Sequence, residues 1–118
     1  MSNVADLIDR RGETVSIFRR AESGVDEFNR PRYTWSLQAR EKAIIQPVAR
    51  ASGVGEVITL AGELTVDDRV GFFLPDSAVQ EDDQVEWAGN RYDVGPVQPR
   101  GVGGRTAFKV AVLKRLVG

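Results

Sequence analysis

The side chains of this chain that could do chemistry fall into two acidic groups and three basic loops. Asp67-Asp68 and Glu81-Asp82-Asp83 are the dense carboxylate clusters. Paired carboxylates serve as the acid and base of glycoside hydrolysis, or as oxygen ligands of Mg²⁺ or Ca²⁺. Their spacing argues against both. Neighbours on an extended chain point to opposite faces, so Asp67 and Asp68 do not share a ligand. Glu81-Asp82-Asp83 falls in a turn and lacks the spaced oxygens of a calcium loop. Solvated turn carboxylates are the expectation for both clusters. No Ser or Thr sits in a nucleophile-elbow pattern. The chain has no histidine and no cysteine, which removes Ser-His-Asp and Cys-His sites, disulfides and cysteine-ligated zinc. No catalytic residue, cofactor or metal ion is assigned, and the chain is read as a non-enzyme. A metal-dependent hydrolase built on Asp82 and Asp83 stays as an alternative.

The basic loops hold Arg30 and Arg32 around Pro31, Arg50 in a Gly-containing segment, and Arg100 and Arg105 at the two ends of a third loop. On one rim of a small barrel they would meet phosphates or the acidic face of a partner. Aromatic residues among them are few, with Phe28 and Tyr33 the candidates, so sequence-specific nucleic-acid recognition is not supported. Gly53-Val54-Gly55 lacks the full pattern of a phosphate loop and its Lys-Ser/Thr, so a flexible loop is expected there. Arginine outnumbers lysine thirteen to three. Arginine suits partly dry protein interfaces, although genomic base composition produces the same bias.

At 118 residues and a net charge of −1, one domain is expected, with no global attraction to nucleic acid or an acidic membrane. No apolar run approaches the roughly 18 residues of a membrane span. The opening Met-Ser-Asn-Val-Ala-Asp shows no basic region followed by an apolar run, so no secretion signal is expected.

The elements that would position these residues are mostly strands. Asp83 to Val97 reads as a β-hairpin turning at Gly89-Asn90, with Val85 and Trp87 on one face together with Tyr92 and Val94. A lone hairpin is marginal in water, so that face must pack on more sheet. Residues 3–11 read as a short helix capped by Asn3 and stopped at Gly12, with Val4, Leu7 and Ile8 on one stripe. Glu13–Ala21 reads as a strand, Glu22–Arg32 as a loop and Tyr33–Val48 as a long strand. In that strand Tyr33, Trp35, Leu37, Ala39, Ala43 and Ile45 keep one phase, and Glu41 marks a bend, bulge or exposed stretch. Ala49–Glu56 reads as a loop and Val57–Leu60 as a short strand or turn. A strand is expected over Thr65–Leu74, with its buried part starting near Val70, and one helical turn over Ser77–Glu81. Pro99–Arg105 reads as a loop and Thr106–Leu116 as the last strand, both of whose faces meet something near its end. About six strands, Gly/Pro/Asn turns and a short N-terminal helix predict an all-β fold, a small antiparallel barrel or sandwich.

Three pieces of this pattern resemble the head-tail joining proteins of tailed phages, also called head-closure or stopper proteins. They are Val15-Ser-Ile-Phe-Arg followed by a turn and Trp35, the strand ending Ala43-Ile-Ile-Gln-Pro47, and Asp83-x-Val85 with Gly89-x-x-Tyr92-x-Val94 and a closing strand. The resemblance covers most of the chain after residue 12. Members often have Gly in the first turn, where this chain has Asn29, which also tolerates positive φ. The N-terminal helix is less typical, which keeps a related neck or tail-completion protein as an alternative. The resemblance implies one barrel domain over residues 1–118 that joins a homo-oligomeric ring, a dodecamer in family members. That ring lies in the virion between a portal or adaptor protein above and a tail protein below, after assembly in the host cytoplasm. It also implies loops that reach neighbouring subunits or the channel, with non-specific contact to packaged DNA. The residues that fit are Phe28, Asn29, Arg30 and Arg32 in a mobile loop 22–32, Arg50, Gly53 and Gly55 in a mobile loop 49–56, and Arg100 and Arg105. A small nucleic-acid-binding barrel is the reading outside this class.

Overall fold

The computed structural model of the chain describes residues 4–48, 62 and 64–116. A helix, α1 (Val4–Arg11), precedes six strands: β1 (Glu13–Val25), β2 (Pro31–Pro47), β3 (Arg69–Phe73), β4 (Gln84–Trp87), β5 (Asn90–Val102) and β6 (Arg105–Arg115). Every pairing is antiparallel, and the sheet closes on itself in the order β1-β2-β3-β6-β5-β4. The expected all-β fold with a short N-terminal helix is therefore what forms, in its barrel version.

Alternation decides what fills the barrel. Val15 and Ile17 of β1, Val85 of β4, Tyr92 and Val94 of β5, and Ala111 and Leu113 of β6 are buried together with Ala43 and Phe73. The opposite faces of β3 and β6 are apolar too. Val70, Val110 and Val112 are fully buried there, packed with Phe72, Phe108, Val48 and Leu64. This second layer explains why the last strand is apolar on both faces. Ile8 of α1 is fully buried and Leu7 partly exposed, and the helix lies against β2, β3 and β6. Lys42 donates to the Asp9 carbonyl at 2.8 Å, and the Gly12 N–H donates to the Ile8 carbonyl at 2.8 Å. Gly12 thus ends the helix as expected, while Asn3 lies outside the described residues.

The β4–β5 turn differs from expectation. Trp87 pairs with Asn90, so the turn is Ala88-Gly89 and not Gly89-Asn90. Their φ values of 52° and 79° are both positive, as a two-residue type I′ turn demands. The slip moves each partner by two residues, an even step. Val85 and Trp87 therefore stay on the face of Tyr92 and Val94.

Two loops and one strand are shorter than the sequence suggests. The expected loop Glu22–Arg32 is mostly strand: β1 runs to Val25, β2 begins at Pro31, and the turn is confined to Asp26–Arg30. Pro99–Arg105 is likewise a continuous hairpin around Gly103-Gly104, with Val102 paired to Arg105. The strand expected over Thr65–Leu74 is limited to Arg69–Phe73, because Thr65–Asp68 forms a turn closed by Asp68. Ser77–Glu81 is irregular and makes no helical turn. The loop expected at 49–56 and the element at 57–60 lie outside the described residues.

Both long hairpins, β1–β2 and β5–β6, turn at the same end of the barrel in the sense of strand direction. At that end, residues 74–83 cross from β3 to β4 over the mouth of the barrel. The described structure is correspondingly long, 56 × 29 × 26 Å.

Gly71 is required inside the barrel. A Cβ there would lie 2.7 Å from Cε2 and 3.0 Å from Cζ of the fully buried Phe73 ring. We expect Gly71→Ala to lower unfolding stability by about 1–3 kcal/mol through overpacking, measured by urea denaturation.

Candidate functional site

Two features stand out above the closed end of the barrel: the crossover 74–83 and the arm formed by the outer halves of β1 and β2. The crossover is held by polar groups from several strands. Asp83 is 2% exposed. Its carboxylate accepts two hydrogen bonds from the Arg19 guanidinium, both 2.9 Å, and one from the Gln80 N–H at 3.0 Å. Arg19 also donates to the Ala78 carbonyl at 2.6 Å. The bond to Asp83 holds the Arg19 guanidinium above its ordinary pKa, against the opposing effect of burial. From β2, Glu41 accepts from the Ser77 hydroxyl and from the Ala78 N–H. From β6, Lys109 donates to the Ser77 carbonyl at 2.9 Å. Val79 then projects into the barrel core. The crossover is thus a stopper over one end of the barrel, apolar below and ionically fastened at its sides.

This arrangement corrects the expectation that the acidic groups are solvated. Asp83 is buried and fully used by Arg19 and the backbone. Asp68 is buried as well, accepting from the Thr65 N–H at 2.7 Å and the Arg115 N–H at 2.9 Å. Both carboxylates brace the backbone, so the metal-dependent alternative loses Asp83. Among the described residues, no three acidic side chains converge as a metal site. Glu41, which breaks the apolar phase of β2, does so because it points inward to the crossover.

The arm begins where β1 and β2 leave their outer neighbours. β4 pairs with β1 only at Ser16, Ile17 and Phe18, and β3 pairs with β2 only from Ala43 onward. Beyond these points the two strands pair only with each other, up to Val25 and Pro31. A β-bulge sets the faces of the arm. Ile17 pairs with Ala39 but Phe18 pairs with Leu37, so Gln38 is an extra residue in β2. Tyr33, Trp35 and Leu37 therefore do not continue the inward face of Ala39, Ala43 and Ile45. They share the outer face with Phe18, Arg20 and Glu22.

That outer face is unusually apolar for an exposed surface. Leu37 is 43% exposed, Trp35 38%, Tyr33 47% and Phe28, at the tip, 68%. Cations are laid over two of the rings next to it. The Arg20 guanidinium sits 4.7 Å from the Tyr33 ring centroid, and Arg91 lies 4.0 Å from that of Phe18. A groove of about 360 Å³ runs beside the arm above the short β4, lined by Arg20 and Trp35 on one side and Asp93, Gly95, Pro96 and Lys114 on the other.

The tip is ordered by one side chain. Asp26 Oδ1 accepts from the N–H groups of Phe28 at 2.8 Å and Arg30 at 2.9 Å, and Oδ2 accepts from the Arg30 guanidinium at 3.2 Å. Asn29 takes φ 61°, which asparagine tolerates. Arg30 also lies 5.0 Å over the Phe28 ring. Phe28, Asn29 and Arg30 are thus gathered at one tip, with Arg32 two residues further along β2. Arg105 flanks the turn of the other hairpin. Arg100 sits on that hairpin opposite Phe108, and its Nε is buried without a partner among the described residues. Arg50, Gly53 and Gly55 lie outside the described residues.

No family model matches this chain, and no curated protein matches it. Among solved structures it is similar to the solution structure of protein SF1141 from Shigella flexneri 2a. The identity is 15%, the match covers 87% of this chain and 90% of that one, and the TM-score is 0.59. At this identity the likeness shows the fold alone: an all-β architecture shared across nearly the whole of both chains.

Two substitutions test the fastenings. Arg19→Leu leaves Asp83 buried without its cation, and we expect a loss of about 2–4 kcal/mol in chemical denaturation, since one partner of a desolvated pair is removed. Asp26→Ala removes the acceptor for three donors at an exposed turn. We expect faster amide exchange confined to residues 27–30, with global stability reduced by about 1 kcal/mol at most.

Proposed function

We propose that the chain is a structural component of the head-tail connector of a tailed phage, joining a portal or adaptor protein to the tail. The observation that carries this reading is the arm: a hairpin standing clear of the barrel, with an aromatic outer face and an ordered tip. A monomeric protein with no partner gains nothing from holding Phe28, Tyr33, Trp35 and Leu37 in water, and exposed apolar patches of this kind mark interaction sites. The resemblance of the sequence motifs to head-tail joining proteins supplies the particular setting. The closed barrel serves as the rigid body, and the arm as the element that reaches a neighbouring component.

The mode of docking differs from loop ordering. The Asp26 hydrogen bonds form the tip in the free chain, so the arm meets its partner largely preshaped. Preorganisation lowers the entropic cost of association. The arm also carries charge suited to a rim, with Arg30 and Arg32 near its tip and Glu22 and Glu27 beside them.

The test is location. Virions of the encoding virus are disrupted, heads, necks and tails are separated, and the chain is identified by mass spectrometry. We expect it with the portal or on DNA-filled tailless heads. Recovery on free tails alone would replace the connector reading with tail completion, and absence from virions would overturn the structural role. In the same system, Phe28→Ser with Trp35→Ser is expected to cut tailed, infectious particles at least about tenfold, a loss of interface anchors. The purified variant should melt within a few degrees of the parent, because both residues lie outside the core.

A further inference from the structure

The outside of the barrel carries an apolar row where β2, β3 and β6 lie side by side. Ile44 pairs with Phe72, and Phe72 pairs with Val110, so three outer-face side chains stand in line across three strands. Phe108 widens the row, with its ring centroid 6.1 Å from that of Phe72. Left bare, such a row is a surface for association or aggregation. Part of it is covered by the chain itself. The helix α1 lies against β2, β3 and β6, and its Val4 and Leu7 line one groove together with Ile44, Phe72 and Phe108.

The cover fits loosely. The groove beside the helix measures about 250 Å³, and side chains that face a gap forfeit the contacts of close packing. Ile8 is the one buried residue of α1, and Leu7 is 36% exposed. Fully burying one aliphatic side chain shifts an equilibrium by about 10–150-fold, far less than holds a whole domain folded. The bond from Lys42 to the Asp9 carbonyl lies at the surface, where water competes for both groups. An eight-residue helix does not hold its shape alone, since helices under about 12–15 residues are marginal in water. Once Ile8 leaves its seat, the helix therefore melts.

The barrel does not follow it. Ile8 belongs to neither of the two core clusters. One residue, Gly12, separates α1 from β1, whose ladder with β2 starts at Glu13 opposite Ala43. Opening thus stops at the first rung. We propose that α1 is a removable strap: it lifts and melts in a local opening that leaves the barrel closed, and this bares the Ile44–Phe72–Phe108 row. The opening belongs to the free chain and does not rest on the connector reading.

The absence of cysteine supplies the test. Ile8→Cys and, as a barrel reference, Val112→Cys each place a single thiol at a position of 0% exposure. Labelling by a thiol-specific reagent is followed in native buffer and in low urea. We expect the Ile8→Cys thiol to react at least about 100-fold faster than the Val112→Cys thiol, at a rate insensitive to urea below the unfolding transition, because a local opening exposes little surface. Rates within about tenfold of each other, with a common urea dependence, would show that helix and barrel open together and overturn the proposal. Amide exchange of the unsubstituted chain makes the same comparison. The Gly12 N–H, which donates to the Ile8 carbonyl, should be far less protected than the amides of β6, and equal protection overturns the proposal as well. The covering role is read from Ile8→Asp, whose charge does not seat in an apolar site. We expect cooperative unfolding to persist, with at least about threefold more fluorescence from the apolar-surface dye anilinonaphthalene sulfonate. Loss of cooperative unfolding in this variant would make α1 part of the core and overturn the strap, and a folded variant with no gain in dye binding overturns the covering role.

Discussion

The Arg19–Asp83 pair is the interaction on which the upper half of the molecule depends. A six-stranded barrel in this order needs a connection from β3 to β4 that passes over an open end, and an open end exposes the core. The chain answers with an irregular segment whose Val79 is apolar enough to plug the barrel. An irregular segment leaves its N–H and carbonyl groups without a ladder, and buried groups of that kind need partners. Arg19, Glu41, Lys109 and Asp83 supply them. Arg19 is also the first residue of β1 beyond its pairing with β4, so the side chain that fastens the crossover stands at the root of the arm. Closure of the barrel and the direction in which the arm leaves it are therefore settled at one residue.

The barrel itself was legible because its strands obey the period-2 rule. Val15 and Ile17, Val85 and Trp87, Tyr92 and Val94, and the two apolar faces of the last strand all point where the alternation says they should. The long strand containing Trp35 was harder to read. Its alternation runs unbroken through Leu37 and Ala39, yet the two residues face opposite ways, because one extra residue at Gln38 changes the phase. A bulge has no strong signature in composition, and the break hinted at by Glu41 lay three residues further on. The expected loops at 22–32 and 99–105 give way for one reason: Gly, Pro and Asn mark loops in general, and here they serve as tight turns and bulges within continuous ladders.

The acidic clusters carry a related lesson. Asp68 falls on the same phase as Val66 and Val70, and Glu41 on that of Ala39 and Ala43. A lone charge on an apolar phase is a sign of a buried polar contact, and both residues turned out to hold backbone or a hydroxyl. Asp83 gives the same sign, on the phase of Val85 and Trp87, but its partner Arg19 lies far away in sequence. The basic residues at the tip were legible as an exposed group, but the aromatic row beside them shares one alternation with the buried Ala43, so its exposure was not. Exposure of that row follows from the missing neighbours of β2 beyond Ala43, which is a property of topology and not of the residues.

The long strand β2 belongs to two structures at once. From Pro31 to Lys42 it is half of a two-stranded arm, and from Ala43 to Pro47 it is a stave of the barrel. Antiparallel ladder bonds run perpendicular to the strands. A pull on the tip along the arm therefore draws β1 and β2 side by side and loads in shear the ladders that join them to β4 and β3. A sideways pull at the tip would instead lever the arm about its root and open those rungs one at a time, starting at Phe18 or Ala43. The arm is stiff as a tie and weak as a lever, and a partner that grips its tip would hold the barrel firmly along the arm's axis and release it by peeling across it.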